Sequence, residues 1–146
     1  MKRSARKRRY KVTDGITLED LDGERWGEPP FDSYVVRTCH ALRRKPVNTL
    51  TDEELRLAIG QGIGLIWLIP LALQRLAEDP FRCGDFYEGD LLASISRVAA
   101  GYWAEHPEDK VVLASKVVPA ALGDDRLPEM TSATRQAVID LRTMSE

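Results

Sequence analysis

The 146-residue sequence holds only two cysteines, Cys39 and Cys83, and two histidines, His40 and His106. Two cysteines make no disulfide framework, and nothing stands at metal-ligand spacing. The expectation is a reduced, cytoplasmic protein with no cofactor. No apolar run reaches the roughly 20 residues that span a bilayer. The longest, "IGLIWLIPLALQ" from Ile63, is short and contains Pro70. The opening "MKRSARKRRYKV" is positive but has no apolar stretch behind it, so it does not read as a secretory signal. Convincing alternation at period 2 is also missing, apart from short β-branched runs such as "KVVLASKVV".

The formal charge of -2 conceals an asymmetry. Residues 1 to 11 carry seven of the 21 Lys and Arg and no acid, which leaves 14 basic against 23 acidic residues in the remainder, a net -9. A basic segment over residues 1–15 is expected to be a flexible tail, and residues 16–146 to form one helical domain. The tail suits nucleic acid. The acidic body does not, because a fold that tracks phosphates shows a basic face.

Along that body the helix signals are clear. "TLEDLDGERWGEPPFDS" reads as a helical turn followed by an extended loop. "DSYVVRTCHALRRKP" reads as a helix capped by Asp32 or Ser33 and ended by Pro46. Val35, Cys39 and Leu42 fall on one face, and Arg43, Arg44 and Lys45 suit the negative end of its dipole. Thr51 and Glu54 make a capping box, with Leu50 and Leu55 at staple positions and Leu55, Ala58 and Ile59 inward. Gly60, Gly62 and Gly64 punctuate a turn. "LIWLIPLALQRLAED" is apolar almost all round at its start, a buried central helix that kinks at Pro70 or starts afresh there. "EGDLLASISRVAAGYWAEHP" places Leu91, Leu92, Ile95 and Val98 inward and breaks near Gly101. A helix opening at Pro107 and a final one over "PEMTSATRQAVIDLRTM" complete the reading. The fold class is all-α, an irregular bundle of about five to seven helices.

Enzyme chemistry needs a constellation, and none is legible. Cys39 and His40 are adjacent on a helix, so their side chains diverge by about 100° and do not meet. The glycines of "GQGIG" lack the preceding strand and following Lys-Ser or Lys-Thr of a phosphate loop. The calcium-loop pattern is absent around Asp85, Glu88 and Asp90. No enzyme activity and no small-molecule substrate are expected.

One stretch asks for more. "GDFYEGDLLASI", from Gly84, places three carboxylates and two aromatics between Asp85 and Leu91 and then turns apolar. Acids at a helix start gain about 0.3–1 kcal/mol each from the dipole, but one would serve. Tyrosine among carboxylates also composes a docking surface for a cationic protein. Cap alone and cap with interface both fit the composition.

Several ordered motifs carry a resemblance: "WGEPP" (Trp26 to Pro30), Asp32 with Ser33, "CHALRRKP" (Cys39 to Pro46), the run from Leu50 to Leu65, "IPLAL" (Ile69 to Leu73) and "GDFYEGDLL". Over about residues 18 to 104 the chain resembles the contact-dependent growth inhibition (CDI) immunity proteins. These are small helical proteins encoded beside a toxin that passes between neighbouring bacteria. The resemblance implies a one-to-one complex with the C-terminal domain of a cognate toxin in the cytoplasm. A nuclease toxin is plausible, with an RNase favoured, and no catalytic residue is carried over. Such a toxin has a positive groove for phosphates, and an acidic body suits its inhibitor. Asp85, Tyr87, Glu88 and Asp90 then form one candidate contact patch, and Glu28 and Asp32 another. The alternative is a small nucleic-acid-binding regulator that uses the basic tail.

Overall fold

A computed structural model describes residues 15–146. The basic segment and its two readings, flexible tail or nucleic-acid arm, lie outside the described residues apart from Gly15. The chain enters at Ile16, whose carbonyl accepts the Val47 amide at 2.7 Å, and then forms α1 (Leu18–Asp22). Thr17 and Asp20 close a capping box at its start, and Gly23 ends it in the left-handed region at φ 73°. A loop leads to α2 (Tyr34–Leu42), where Ser33 rather than Asp32 supplies the cap. Cys39 and Leu42 are buried as expected. Val35 is not: it is exposed, and the half-buried Val36 beside it faces inward. In the first turn the inward position is therefore Val36, three residues before Cys39, and not Val35.

A 3-10 turn (Val47–Thr49) brings the chain to α3 (Asp52–Gly60). The Thr51–Glu54 capping box is formed on both sides, and Leu50, Leu55, Ala58 and Ile59 are all buried. Gly62 and Gly64 take positive φ in the turn that follows. At Gly64 a Cβ would stand 2.8 Å from the buried Leu18 side chain, so the turn needs a residue without one. The next helix, α4 (Leu65–Glu78), contains Pro70 and does not restart there.

The stretch after the acidic loop divides into α5 (Asp90–Ser96) and α6 (Ala100–Glu105). The break falls at Arg97–Ala99, ahead of Gly101, where three-residue closures (Arg97 N–H to Ser94, Val98 N–H to Ile95) tighten the chain and Ala99 turns extended. The last long segments are α7, running Pro107–Val112, through a π turn at Leu113–Val117 and on as Val118–Leu122, and α8 (Ser132–Ser145). The β-branched run "KVVLASKVV" lies inside α7. The all-α class holds, with eight helices among the described residues rather than five to seven. Two isolated bridges, Thr17 with Pro46 and Cys83 with Glu88, are the β-type pairings found there.

Packing centres on α5, which is buried from Asp90 through Ile95 and touches α3, α4 and α8. Helix α3 also packs on α2 and α4, and α7 on α4 and α8. Leu55, Leu68, Leu76, Phe81, Leu91, Ile95, Leu113 and Leu141 meet in one core, each large side chain contributing about 1.5–3 kcal/mol on burial. A helix buried at its first residue cannot leave its N-terminus to water. The preceding segment must cover it, and that requirement shapes the acidic stretch.

Candidate functional site

The segment from Asp79 to Gly89 runs over the N-terminus of α5. Phe81 is fully buried and roots it in the core. Arg126 bonds Asp79 at 2.7 Å and lies over the Phe81 ring. Asp52, in the first turn of α3, takes Arg82 at 2.9 Å and Arg75 of α4 at 3.1 Å.

The centre of the segment is held by its own amides. Gly84 donates its N–H to Asp90 Oδ1 at 2.6 Å, Asp85 to Glu53 Oε1 at 3.0 Å, and Phe86 to Asp90 Oδ2 at 3.1 Å. Three consecutive N–H groups thus end on two buried carboxylates from two helices. Bonds to ionised acceptors are the stronger kind. At Gly84 a Cβ would stand 2.6 Å from Glu53 Oε1 and 2.9 Å from Asp90 Oδ2, so glycine is what lets the acids approach. At the far end Gly89 has φ 90°, and Thr134 of α8 donates its hydroxyl to the Glu88 carbonyl at 2.7 Å.

The acidic stretch therefore divides into framework and display. Asp90 is 2 % exposed and both of its oxygens are committed. The expectation that it belongs to a contact patch is corrected: α5 is internal, so its first acid bonds the covering loop. Asp85 and Glu88 are exposed, Tyr87 is half-buried, and Phe86 is 69 % exposed. Arg56 stacks its guanidinium over Phe86 at 4.5 Å and donates Nε to Glu53 Oε1 at 2.7 Å. Hydrogen bonding from Arg56 is the largest cause holding the Glu53 carboxyl below its ordinary range, with the Asp85 amide adding to it. Desolvation, then the carboxylates of Asp90, Glu88, Asp85 and Asp52, push the Cys83 thiol up.

Glu28 and Asp32 lie on a different segment, the loop between α1 and α2. That loop is fastened by the basic run of α2. Arg43 is 1 % exposed. It grips Asp22 with two bonds of 2.8 Å, donates to the Glu24 carbonyl at 2.7 Å and lies 4.4 Å over Trp26. His40 pairs through Nδ1 with the Gly27 carbonyl at 3.2 Å and meets Trp26 edge-on, and Arg44 also donates to Gly27. The motifs "WGEPP" and "CHALRRKP" are thus two sides of one contact. Arg43 departs from its expected role at the helix dipole, because it is a buried partner of Asp22. On the outer surface Glu28 is exposed, Asp32 pairs with Arg37, and Phe31 and Tyr34 are exposed.

The structure brings Asp85, Tyr87 and Glu88 together on one loop and keeps Glu28 and Asp32 together on another. Sequence reasoning noted the rings among the acids but left Phe86, Phe31 and Tyr34 out of both contact patches, although all three are exposed. Their only signal was an aromatic flanked by acids in a segment without helical period. His106 accepts a local role, pairing with the Tyr102 carbonyl at 2.8 Å. A groove of about 720 Å³ between α4 and α7 is floored by Val47, Trp67, Leu71 and Val112 and edged by Glu78 and Lys116. Among the described residues no group of three or more His, Cys, Asp or Glu could hold a metal ion, and no helix is long and apolar enough to cross a membrane.

The family model of the CDI immunity proteins matches residues 20–113. That span runs from α1 into the π turn of α7 and contains both loops. No curated protein and no solved structure matches the chain.

Proposed function

The chain belongs to the CDI immunity proteins, and from that premise we propose that it binds the C-terminal domain of one cognate CDI toxin in the cytoplasm, one to one, and blocks it. The toxin is read as a nuclease, with an RNase favoured. Beyond the family, the observation that carries the reading is the fixed acidic loop: Asp85 and Glu88 are exposed on a backbone held by Asp90 and Glu53. A nuclease groove is positive because it holds phosphates. Carboxylates on a body of net -9 complement it and speed the encounter.

Asp85, Tyr87 and Glu88 form the first contact patch, and Asp90 positions them. Glu28 and Asp32 form a second. Asp32 contributes less charge, since Arg37 already neutralises it.

The test is a calorimetric titration of the chain with the toxin domain, recovered from the co-expressed complex by denaturation and refolding. A stoichiometry of one, toxin RNase activity abolished at equivalence, and affinity that falls with salt support the reading. Asp85→Lys with Glu88→Lys is expected to weaken binding by about 2–5 kcal/mol. A folded double variant that binds as tightly as the parent removes this loop from the interface.

A further inference from the structure

The exposed side chain that the loop's framework holds most firmly is not an acid but Phe86. Its ring is 69 % exposed, although the residues beside it have every opportunity to be buried: Phe81 five positions earlier is in the core. Its own N–H is bound by Asp90, and the two preceding amides by Asp90 and Glu53. Arg56 supports one face of the ring at 4.5 Å, and Glu53 in turn fixes Arg56. A ring held out on a fixed backbone loses little conformational freedom when a partner covers it. Aromatic side chains are enriched in the cores of protein interfaces.

Among the described residues the other exposed apolar side chains offer a partner less: Trp26 also has its amide bound by an acid, Glu19, and a guanidinium, Arg43, on its ring, but His40 packs against its edge and it is only 37 % exposed. Phe31 is as exposed, at 70 %, but its neighbour Asp32 spends its charge on Arg37. Val111 and Ile139 are exposed singly on α7 and α8, which is ordinary for a protein surface. Among the described residues Phe86 combines high exposure with a captured amide and two exposed carboxylate neighbours, Asp85 and Glu88.

We propose that Phe86 is the anchor of the partner interface: a ring seated on Arg56 that enters an apolar socket with a basic rim on the toxin domain. This deepens the immunity reading above and rests on it. The acids at positions 85 and 88 steer and align the encounter, and the ring supplies the slow dissociation. Arg56 is a positioning residue, acting through the ring and through Glu53.

The experiment compares the full chain, Phe86→Ala, Phe86→Leu and Val111→Ala in titrations with the refolded toxin domain, with thermal melting of each free chain. Phe86→Ala is expected to raise Kd by ~30-fold or more while the melting temperature stays where it was, because the ring is outside the core. Phe86→Leu keeps apolar bulk and is expected to recover most of that loss. Val111→Ala is expected to bind within about 3-fold of the parent, as a contact outside the anchor does. A folded Phe86→Ala chain that binds within about 3-fold overturns the anchor while leaving the immunity reading intact. Absence of binding by the unaltered chain overturns the immunity reading itself.

Discussion

One carboxylate of Asp90 accepts the N–H of Gly84 at 2.6 Å and that of Phe86 at 3.1 Å. A single buried acid therefore covers the start of α5 and sets the direction in which the loop faces solvent. Asp90→Asn keeps the shape but turns one acceptor into a donor that opposes an N–H. Loss of charge-assisted bonding at that site is expected to cost about 2 kcal/mol. Urea unfolding measures it, and a variant within experimental error of the parent would show the loop standing without Asp90.

Gly89 faces Thr134 in the same tight way. Its φ is 90°, and a Cβ there would lie 2.4 Å from Thr134 Cγ2. Gly89→Ala is expected to lose about 1–2 kcal/mol to the left-handed backbone alone, and more to the collision. Adding Thr134→Ala removes the two nearest atoms, Cγ2 and Oγ1, and leaves Cβ at 3.0 Å, so it eases the collision but not the strain. The double variant is then more stable than the sum of the two single changes predicts. Strict additivity in urea unfolding would mean that α8 yields freely at this contact.

Arg43 is buried against Asp22, which is itself partly exposed. Removing the cation leaves a carboxylate and the Glu24 carbonyl short of their donor. Arg43→Ala is expected to cost about 3 kcal/mol. Arg43→Lys should recover little of this, since lysine cannot supply the two-pronged grip or lie flat over Trp26. Acrylamide quenching of tryptophan emission, measured with Trp67→Phe and Trp103→Phe in the background so that Trp26 alone reports, is expected to rise in both variants as the loop lifts.

Glu53 and Asp22 both have folded pKa values below their ordinary ones, through Arg56 and Arg43 respectively. The unfolded chain then binds protons first as pH falls, so ν_U exceeds ν_N and stability rises with pH in that window. The contribution is full above the ordinary carboxylate range and disappears as pH drops through the lowered folded values. Melting temperature is expected to hold from pH 7 to roughly 5 and decline below about 4. Glu53→Gln should flatten that decline, and an unchanged slope would show that Glu53 is not one of the groups responsible.

What was legible in the sequence follows the range of each interaction. The Thr51–Glu54 box and the start at Pro107 rest on residues a few positions apart and stand as expected, and of the three turn glycines Gly62 and Gly64 take positive φ while Gly60 closes α3. Val35 misled because Val35 and Val36 are both apolar, and the contact that decides between them comes from elsewhere in the fold. Asp90 read as a helix-start acid on the surface because nothing local says that α5 is buried from its first residue. Arg43 read as a dipole partner for the same reason, since Asp22 lies 21 positions away. Within "GDFYEGDLL" the composition told of acids and rings, but only Glu53 and Thr134, 32 and 46 positions from their loop partners, separate the residues that hold from those that are shown.

Neutralisation of a toxin is read out in the survival of cells. Cells expressing the toxic C-terminal domain encoded beside this chain are compared with and without the chain. Co-expression is expected to restore growth, one toxin domain to co-purify with each chain, and the Asp85→Lys, Glu88→Lys variant to protect less at matched abundance. Continued killing while the chain accumulates in folded form would contradict neutralisation.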